Sequence, residues 1–206
     1  MSRIYQLETP RLLLRQWQET DKAPLAQLNA DERVMAHFPA TLSRDQSDAM
    51  VARLQGEIEQ RGWGLWALET KREHDFIGCV GLNSPAAALP LAHPCVEVGW
   101  RLAFAYWGYG YATEAAQASL TFGFETLELE KIVSFTALSN RRSQAVMKRL
   151  GMTLMPETFM HPSVPVESGL KEHCLYELTR EQYSQKQNAR IHHTQELYNQ
   201  EQYNRE

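Results

Sequence analysis

The sequence predicts one mixed domain, of the α/β or α+β class, with a central, mostly antiparallel, twisted sheet flanked by helices. Short apolar runs joined by a hairpin-length connection dominate the first half, whereas helices alternate with strands in the second half. The 206 residues are 43% hydrophobic, which is enough for one buried core. We expect this domain to span residues 1–180. The polar segment 181–206 is expected to be a helix or a disordered extension.

The first half contains three predicted strands and two predicted helices. The longer helix has Met50, Leu54 and Ile58 four residues apart on one face, and Gly62 follows its last residue. The polar run 71–75 has the length of a hairpin connection. The predicted elements are strand 11–17, helix 21–29, helix 43–61, strand 63–69 and strand 76–82.

The second half is predicted to alternate between strands and helices. Asn140 is a good N-cap for one helix, and Gly151 is placed to end it. The predicted elements are strand 95–102, helix 111–127, strand 131–137, helix 140–150, and two closing strands within 152–160 and 174–179.

Composition excludes several classes of protein. The net charge of -4 shows no basic surplus of the kind that nucleic-acid binders carry. The three cysteines are widely spaced, which argues against a disulfide framework, and no Cys or His cluster has metal-site spacing. We expect no metal, and we expect a cytoplasmic protein because no signal peptide and no apolar run near 20 residues is found.

The most informative segment runs from Val96 to Glu114, where a strand leads through a glycine turn into a helix. Gly108 and Gly110 lack Cβ atoms, so a ligand can approach the backbone closely there. The first amides of the following helix have no intrahelical partner and lie at the positive end of its dipole. This turn is therefore predicted to hold the phosphates of a nucleotide-bearing cofactor.

Two other phosphate-binding motifs fit this turn poorly. A nicotinamide-type dinucleotide site would place a third glycine where Thr113 stands, and it would open a βαβ unit rather than follow several hairpin-like strands. A P-loop is excluded because no Gly-Lys-Ser/Thr follows.

The chain resembles the GNAT N-acetyltransferases, and within them the RimJ/RimL-like group of ribosomal-protein N-terminal acetyltransferases. Five segments carry the resemblance in the family's order between residues 7 and 179. They are Glu8-Thr-Pro-Arg-Leu-Leu-Leu-Arg15, the strands at 64–67 and 76–82, Glu97-Val-Gly-Trp-Arg-Leu102 with Trp107-Gly-Tyr-Gly-Tyr-Ala-Thr-Glu-Ala115, and Asn140-Arg-Arg-Ser143 followed by 147–152. The resemblance implies a GNAT-type fold and acetyl-CoA as co-substrate.

The same resemblance implies a set of cofactor-binding residues. The family pattern begins with Gln or Arg, and here that place holds Trp107, so backbone amides would have to supply most phosphate contacts. The expected cofactor-binding residues are Trp100, Leu102, Trp107, Gly108, Tyr109, Gly110, Tyr111, Ala112, Thr113 and Asn140.

Three residues are candidates for catalysis. Glu97 is the most plausible base, directly or through a water, because desolvation in a cleft would raise the pKa of its carboxyl; an exposed carboxylate paired with a cation is the alternative. Asn140 would face the cofactor's pantetheine arm or an ordered water while also capping its helix. Many family members have a tyrosine acid where this chain has Met147, so Ser143 becomes the candidate donor to the leaving sulfur.

The acceptor is expected to be an amine. An α-amine has a pKa near 7.7–8.0, so it needs a weaker base than a lysine amine at about 10.4. The group resemblance favours a protein or peptide N-terminus; an amino acid, polyamine or antibiotic is the alternative, and a catalytically weak acyl-CoA-binding module is another. No nucleic-acid or membrane partner is expected, and both a monomer and a homodimer remain open.

Overall fold

One eight-stranded sheet forms the centre of the computed structural model, which describes residues 3–85, 89–91 and 95–189. Its strand order is β1-β2-β3-β4-β5-β6-β8-β7. Every neighbouring pair is antiparallel except β5 and β6, which are parallel. The predicted mixed, mostly antiparallel sheet is therefore confirmed. The strands are β1 (Leu7–Glu8), β2 (Leu12–Arg15), β3 (Leu65–Thr70), β4 (Phe76–Asn83), β5 (Glu97–Leu102), β6 (Lys131–Ala137), β7 (Thr153–Met160) and β8 (Glu172–Thr179).

Helices cover both faces of the sheet. Leu82 and Ile132 lie against Gly123 of α4, where the missing Cβ lets the helix approach the strands closely. Arg101 lies on the opposite face and bonds Asn29 of α1. The helices are α1 (Lys22–Ala30), α2 (Glu32–Met35), α3 (Arg44–Arg61), α4 (Tyr111–Glu125), α5 (Arg141–Leu150) and α6 (180–189).

Local signals define the ends of the long helices as predicted. The Ser43 side chain accepts from the amide of Gln46 at the start of α3, and Gly62 ends that helix with a φ of 85°. Asn140 caps α5 by accepting from the amide of Ser143, and Gly151 ends it with a φ of 76°.

The structure differs from the predicted element bounds near both ends of the described chain. The strand predicted over 11–17 is shorter, and the two-residue strand β1, which pairs with it, was not predicted. The first part of the polar segment is helical and packed: Tyr183 of α6 is 6% exposed and stacks on Phe124 at 4.8 Å between ring centroids. Its hydroxyl donates to Glu125 at 2.7 Å. Residues 190–206 lie outside the described residues.

Candidate functional site

Strands β5 and β6 separate soon after they meet. They pair in register only at Glu97 and Val133, although both strands continue beyond that point. The last link between them is the Ser134 hydroxyl, which donates to the carbonyl oxygen of Val98 at 2.9 Å. The rest of β5 bonds β4 on one edge, and no described residue pairs with its other edge beyond this point. A gap therefore opens in the middle of the sheet, beside the glycine turn.

The glycine turn presents a continuous run of unpaired backbone donors. Gly108 and Gly110 have φ values of 87° and 82°, and Gly110 is the N-cap of the 15-residue helix α4. Within the described chain, none of the six N–H groups from Gly108 to Thr113 donates to an acceptor, whereas the amide of Glu114 already bonds the carbonyl of Gly110. A Cβ at Gly108 would meet no heavy atom within 4 Å, so the space beside it is open. Successive free amides at a helix N-terminus suit a phosphate ligand.

The turn is tied to the start of the chain by Arg11. Its guanidinium donates to the Tyr109 carbonyl at 3.0 Å and forms an ion pair with Glu114 at 2.6 Å. The hydroxyl of Thr9 donates to the same carboxylate at 2.6 Å. The Arg11 Nη2 atom also lies 3.6 Å from where a Cβ of Gly110 would be. The guanidinium of Arg11 therefore places a positive charge beside the turn, although this chain has Trp107 at the position where the family pattern has Gln or Arg.

The aromatic residues of the segment form the walls of the turn. The Trp107 indole N–H donates to the Leu102 carbonyl at 2.8 Å, and the Arg142 guanidinium of α5 lies over its ring at 4.9 Å. Trp107 therefore bridges the end of β5 and the start of α5. Tyr109 is 62% exposed and stacks on Tyr111 at 5.9 Å.

The remaining predicted cofactor-binding residues lie either in the first turn of α4 or in β5. Ala112 and Thr113 lie half-buried in the first turn of α4 and contribute their free amides. Leu102 is buried and acts through its carbonyl, which holds Trp107. Trp100 is partly buried and packs against the core. The structure thus brings the turn residues together, while Leu102 holds Trp107 and Trp100 packs in the core.

Glu97 lies at the point where β5 and β6 meet. Burial of its carboxyl raises the pKa to about 8. No hydrogen bond or ion pair reaches this carboxyl from the described residues, and the role of Glu97 as a base stays a prediction. Its Oε1 leans toward Gly99, at 3.8 Å from the position that a Cβ would take there. A carboxyl with such a pKa exchanges protons readily near neutral pH.

Asn140 and Ser143 lie on the other side of the gap, at the start of α5. The Asn140 amide caps α5 and donates to the Thr136 hydroxyl at 2.9 Å, so its capping function is confirmed. The Ser143 hydroxyl has no hydrogen bond to the described chain. Met147 is 1% exposed and belongs to the core. The catalytic roles of Asn140 and Ser143 stay predictions.

An aromatic cluster lies on the same side of the sheet as Glu97. Val133 pairs with Glu97 and Phe135 follows at the same face, next to Phe159 at 5.6 Å between centroids. The rings of His161 and His173 lie 4.9 Å apart beside them. Burial lowers the pKa of both imidazoles. These rings border the gap opposite α4 and α5.

Arg101 also faces this side, and sequence reasoning did not select it. Its Nη1 donates to the Asn29 side-chain oxygen at 2.7 Å, and its guanidinium lies 4.1 Å from the centre of the Phe38 ring. The sequence around Arg11 or Arg101 does not reveal either as a site residue. Their hydrogen-bond partners Glu114 and Asn29 lie 103 and 72 residues away in the chain.

Two features are absent from the described ranges. No group of three or more His, Cys, Asp or Glu residues in them is arranged to hold a metal ion. None of their helices is long and apolar enough to cross a membrane.

Known proteins resemble this chain in both sequence and fold. The uncharacterized protein YkkB of Bacillus subtilis is 31% identical over 147 residues, covering 71% of this chain and 84% of that protein. The uncharacterized N-acetyltransferase YnaD of the same organism is 25% identical over 179 residues, covering 86% and 99%. A solved acetyltransferase from Agrobacterium tumefaciens is 27% identical, with a TM-score of 0.69 and coverage of 86% and 96%. RimL, a ribosomal alpha-N-protein acetyltransferase solved with coenzyme A, has the same fold at 17% identity, with a TM-score of 0.67 and coverage of 85% and 98%.

A family model settles the assignment. The model described as an acetyltransferase (GNAT) domain matches residues 11–153, which include the open strand edge, the glycine turn and the start of α5. The chain belongs to the GNAT acetyltransferase family and is an N-acetyltransferase.

Proposed function

We propose that this protein transfers the acetyl group of acetyl-CoA to the N-terminal α-amine of a protein or peptide, by direct attack in a ternary complex. The run of free amides from Gly108 to Thr113 is the observation that carries the proposal. Six donors at the positive end of a long helix match a diphosphate, and Arg11 adds a cation beside them.

The residues present fit acetyl-CoA. The turn has open space where side chains are missing, and the unpaired edge of β5 offers backbone groups to an amide-containing arm. Trp107, fixed between β5 and α5, would cover that arm. When bound, acetyl-CoA supplies an activated thioester carbonyl to the amine.

Glu97 would accept the proton of the attacking amine. The acceptor would bind as a neutral amine, and an α-amine with a pKa of 7.7–8.0 is about half neutral near pH 8, where Glu97 is about half ionised and can take the proton released on attack. A lysine amine, with a pKa of about 10.4, would cost roughly 3 kcal/mol to deprotonate at that pH. This difference favours an α-amine as acceptor.

Ser143 and Asn140 would complete the site from α5. The Ser143 hydroxyl is free to donate to the departing sulfur, and the Asn140 amide keeps one N–H beyond the bond to Thr136. The fold shared with RimL supports the RimJ/RimL-like subtype, which is part of this proposal. We further propose a cytoplasmic location.

A panel of acceptors tests the proposal. Release of free coenzyme A thiol would be measured with peptides that differ only in whether the α-amine or a lysine amine is free, and with small amines. We expect turnover with a free α-amine and little with a lysine amine. Turnover restricted to polyamines or aminoglycosides would refute the proposed acceptor, and failure to bind acetyl-CoA would refute the proposed cofactor site.

A further inference from the structure

The side of the sheet opposite α4 and α5 contains a guanidinium that has no carboxylate partner among the described residues. Within the described residues, Arg101 hydrogen-bonds only the neutral amide of Asn29 and the sulfur of Met50, and it stacks on Phe38. No Asp or Glu among the described residues forms an ion pair with it. Desolvation lowers its pKa, and Arg53 is a second cation nearby.

Arg15 is a buried arginine of the same fold whose guanidinium is fully paired with carboxylates, and it can be compared with Arg101. It is 7% exposed, bonds both carboxylate oxygens of Asp21 at 2.7 and 2.9 Å, and bonds Glu69 at 2.6 Å. Burying a charge without such partners is costly. The missing partner at Arg101 therefore points to an anion that arrives from outside the chain.

The orientation of Arg101 is fixed by a second layer of contacts. Asn29 is fully buried, and its Nδ2 donates to the hydroxyl of Ser47 at 2.9 Å, which turns Oδ1 toward the guanidinium. One edge of the guanidinium is thereby occupied. Its other N–H groups have no partner in the described chain and are not sealed from solvent.

Glu97 and Arg101 project from the same face of β5, with Gly99 between them. Because Gly99 has no side chain, no side chain of β5 stands between the Glu97 carboxyl and the Arg101 guanidinium. The two Cα atoms are about 13 Å apart at strand spacing, and the Glu97 side chain leans toward Gly99. An acceptor with an amine at one end and an anion at the other would match this arrangement in charge.

We propose that Arg101 binds a carboxylate of the acceptor, so that the substrate is an amine carrying a carboxylate a few bonds from the reacting nitrogen. This inference rests on the proposed function. The carboxylate has two sources, the α-carboxylate of a free amino acid or an acidic side chain next to a peptide's N-terminus. Arginine binds either one through two parallel N–H donors.

Matched bisubstrate ligands test the proposal without requiring turnover. Coenzyme A is linked through an S-acetyl group to the amine of alanine or alaninamide, and in a second pair to glutamate α-amide or glutamine α-amide. Binding of each ligand, and of coenzyme A alone, is measured by calorimetry with the full chain. We expect at least one carboxylate ligand to bind about 10- to 100-fold tighter than its amide. A carboxylate preference in the first pair would indicate a free amino acid as acceptor, and a preference in the second pair would indicate a peptide with an acidic side chain at its N-terminus.

Variants attribute the preference to Arg101. Arg101→Met should abolish it and Arg101→Lys should retain part of it, with unchanged affinity for coenzyme A alone. Arg44→Met, an exposed arginine of α3 paired with Asp48, is the matched control and should keep the full preference. Binding of coenzyme A with no preference in either pair, or a preference that survives in Arg101→Met, overturns the inference alone. Absence of coenzyme A binding overturns the proposed function and this inference with it.

Discussion

Replacing Glu97 by glutamine tests the proposed base most directly. The pKa of its carboxyl is about 8, so about one-tenth of it is ionised at pH 7 and half at pH 8. The α-amine of the acceptor must also lose a proton in the same pH range. Two groups therefore have to be deprotonated in the wild-type enzyme, and only the amine in Glu97→Gln.

The assay is the pH dependence of kcat/KM, which reports the ionisations of free enzyme and free substrate. Below about pH 7, we expect log kcat/KM to rise with a slope near 2 in the wild type and near 1 in the variant. The ratio of the two rates should grow about tenfold per pH unit and level off above pH 8. A slope of 1 in both proteins would refute the base role of Glu97.

The same substitution has a consequence for stability that does not depend on catalysis. The folded-state pKa of about 8 lies above the ordinary 4.5, so the folded chain binds more protons between these values and loses stability as pH rises through them. The full shift corresponds to about 5 kcal/mol, and partial solvent access reduces it to the order of 3 kcal/mol. The melting temperature of Glu97→Gln relative to wild type should therefore rise by several degrees from pH 5 to pH 8.5. A difference independent of pH would contradict the desolvation of this carboxyl.

Three further substitutions test other parts of the site. Gly110→Val should abolish coenzyme A binding, because it places a side chain against the free amides. Gly169 has a similar positive φ of 67° in an exposed turn, so Gly169→Val is the control. This control should bind coenzyme A normally and lose a comparable amount of stability. Normal binding by Gly110→Val would argue against the phosphate site. Ser143→Ala should lower kcat about 10- to 100-fold with little change in KM if its hydroxyl protonates the sulfur, and an unchanged kcat would exclude that role. Tyr176→Phe should stabilise the fold by about 1 kcal/mol in thermal unfolding, because the Tyr176 hydroxyl is buried and has no hydrogen-bond partner among the described residues; destabilisation would show that a partner exists.

Much of the fold could be predicted because its signals are local. The capping of α5 by Asn140, its end at Gly151 and the end of α3 at Gly62 depend on backbone conformations that a few neighbouring residues determine. The hairpin of β3 and β4 follows from two apolar runs and a short polar connection. The two-residue strand β1 was missed because its pairing with β2, and not its composition, makes it a strand.

The sequence by itself determined the glycine turn and the free amides that follow it, because left-handed backbone at Gly108 and Gly110 and the start of a helix are properties of one short segment. Only the tertiary structure decided which charges stand around that turn. In the folded chain, Arg11 forms an ion pair with Glu114, whereas no carboxylate of the described residues pairs with Arg101. Burial also desolvates the Glu97 carboxyl. Burial and charge pairing depend on groups far apart in the chain, and these groups meet only when the sheet and its helices assemble.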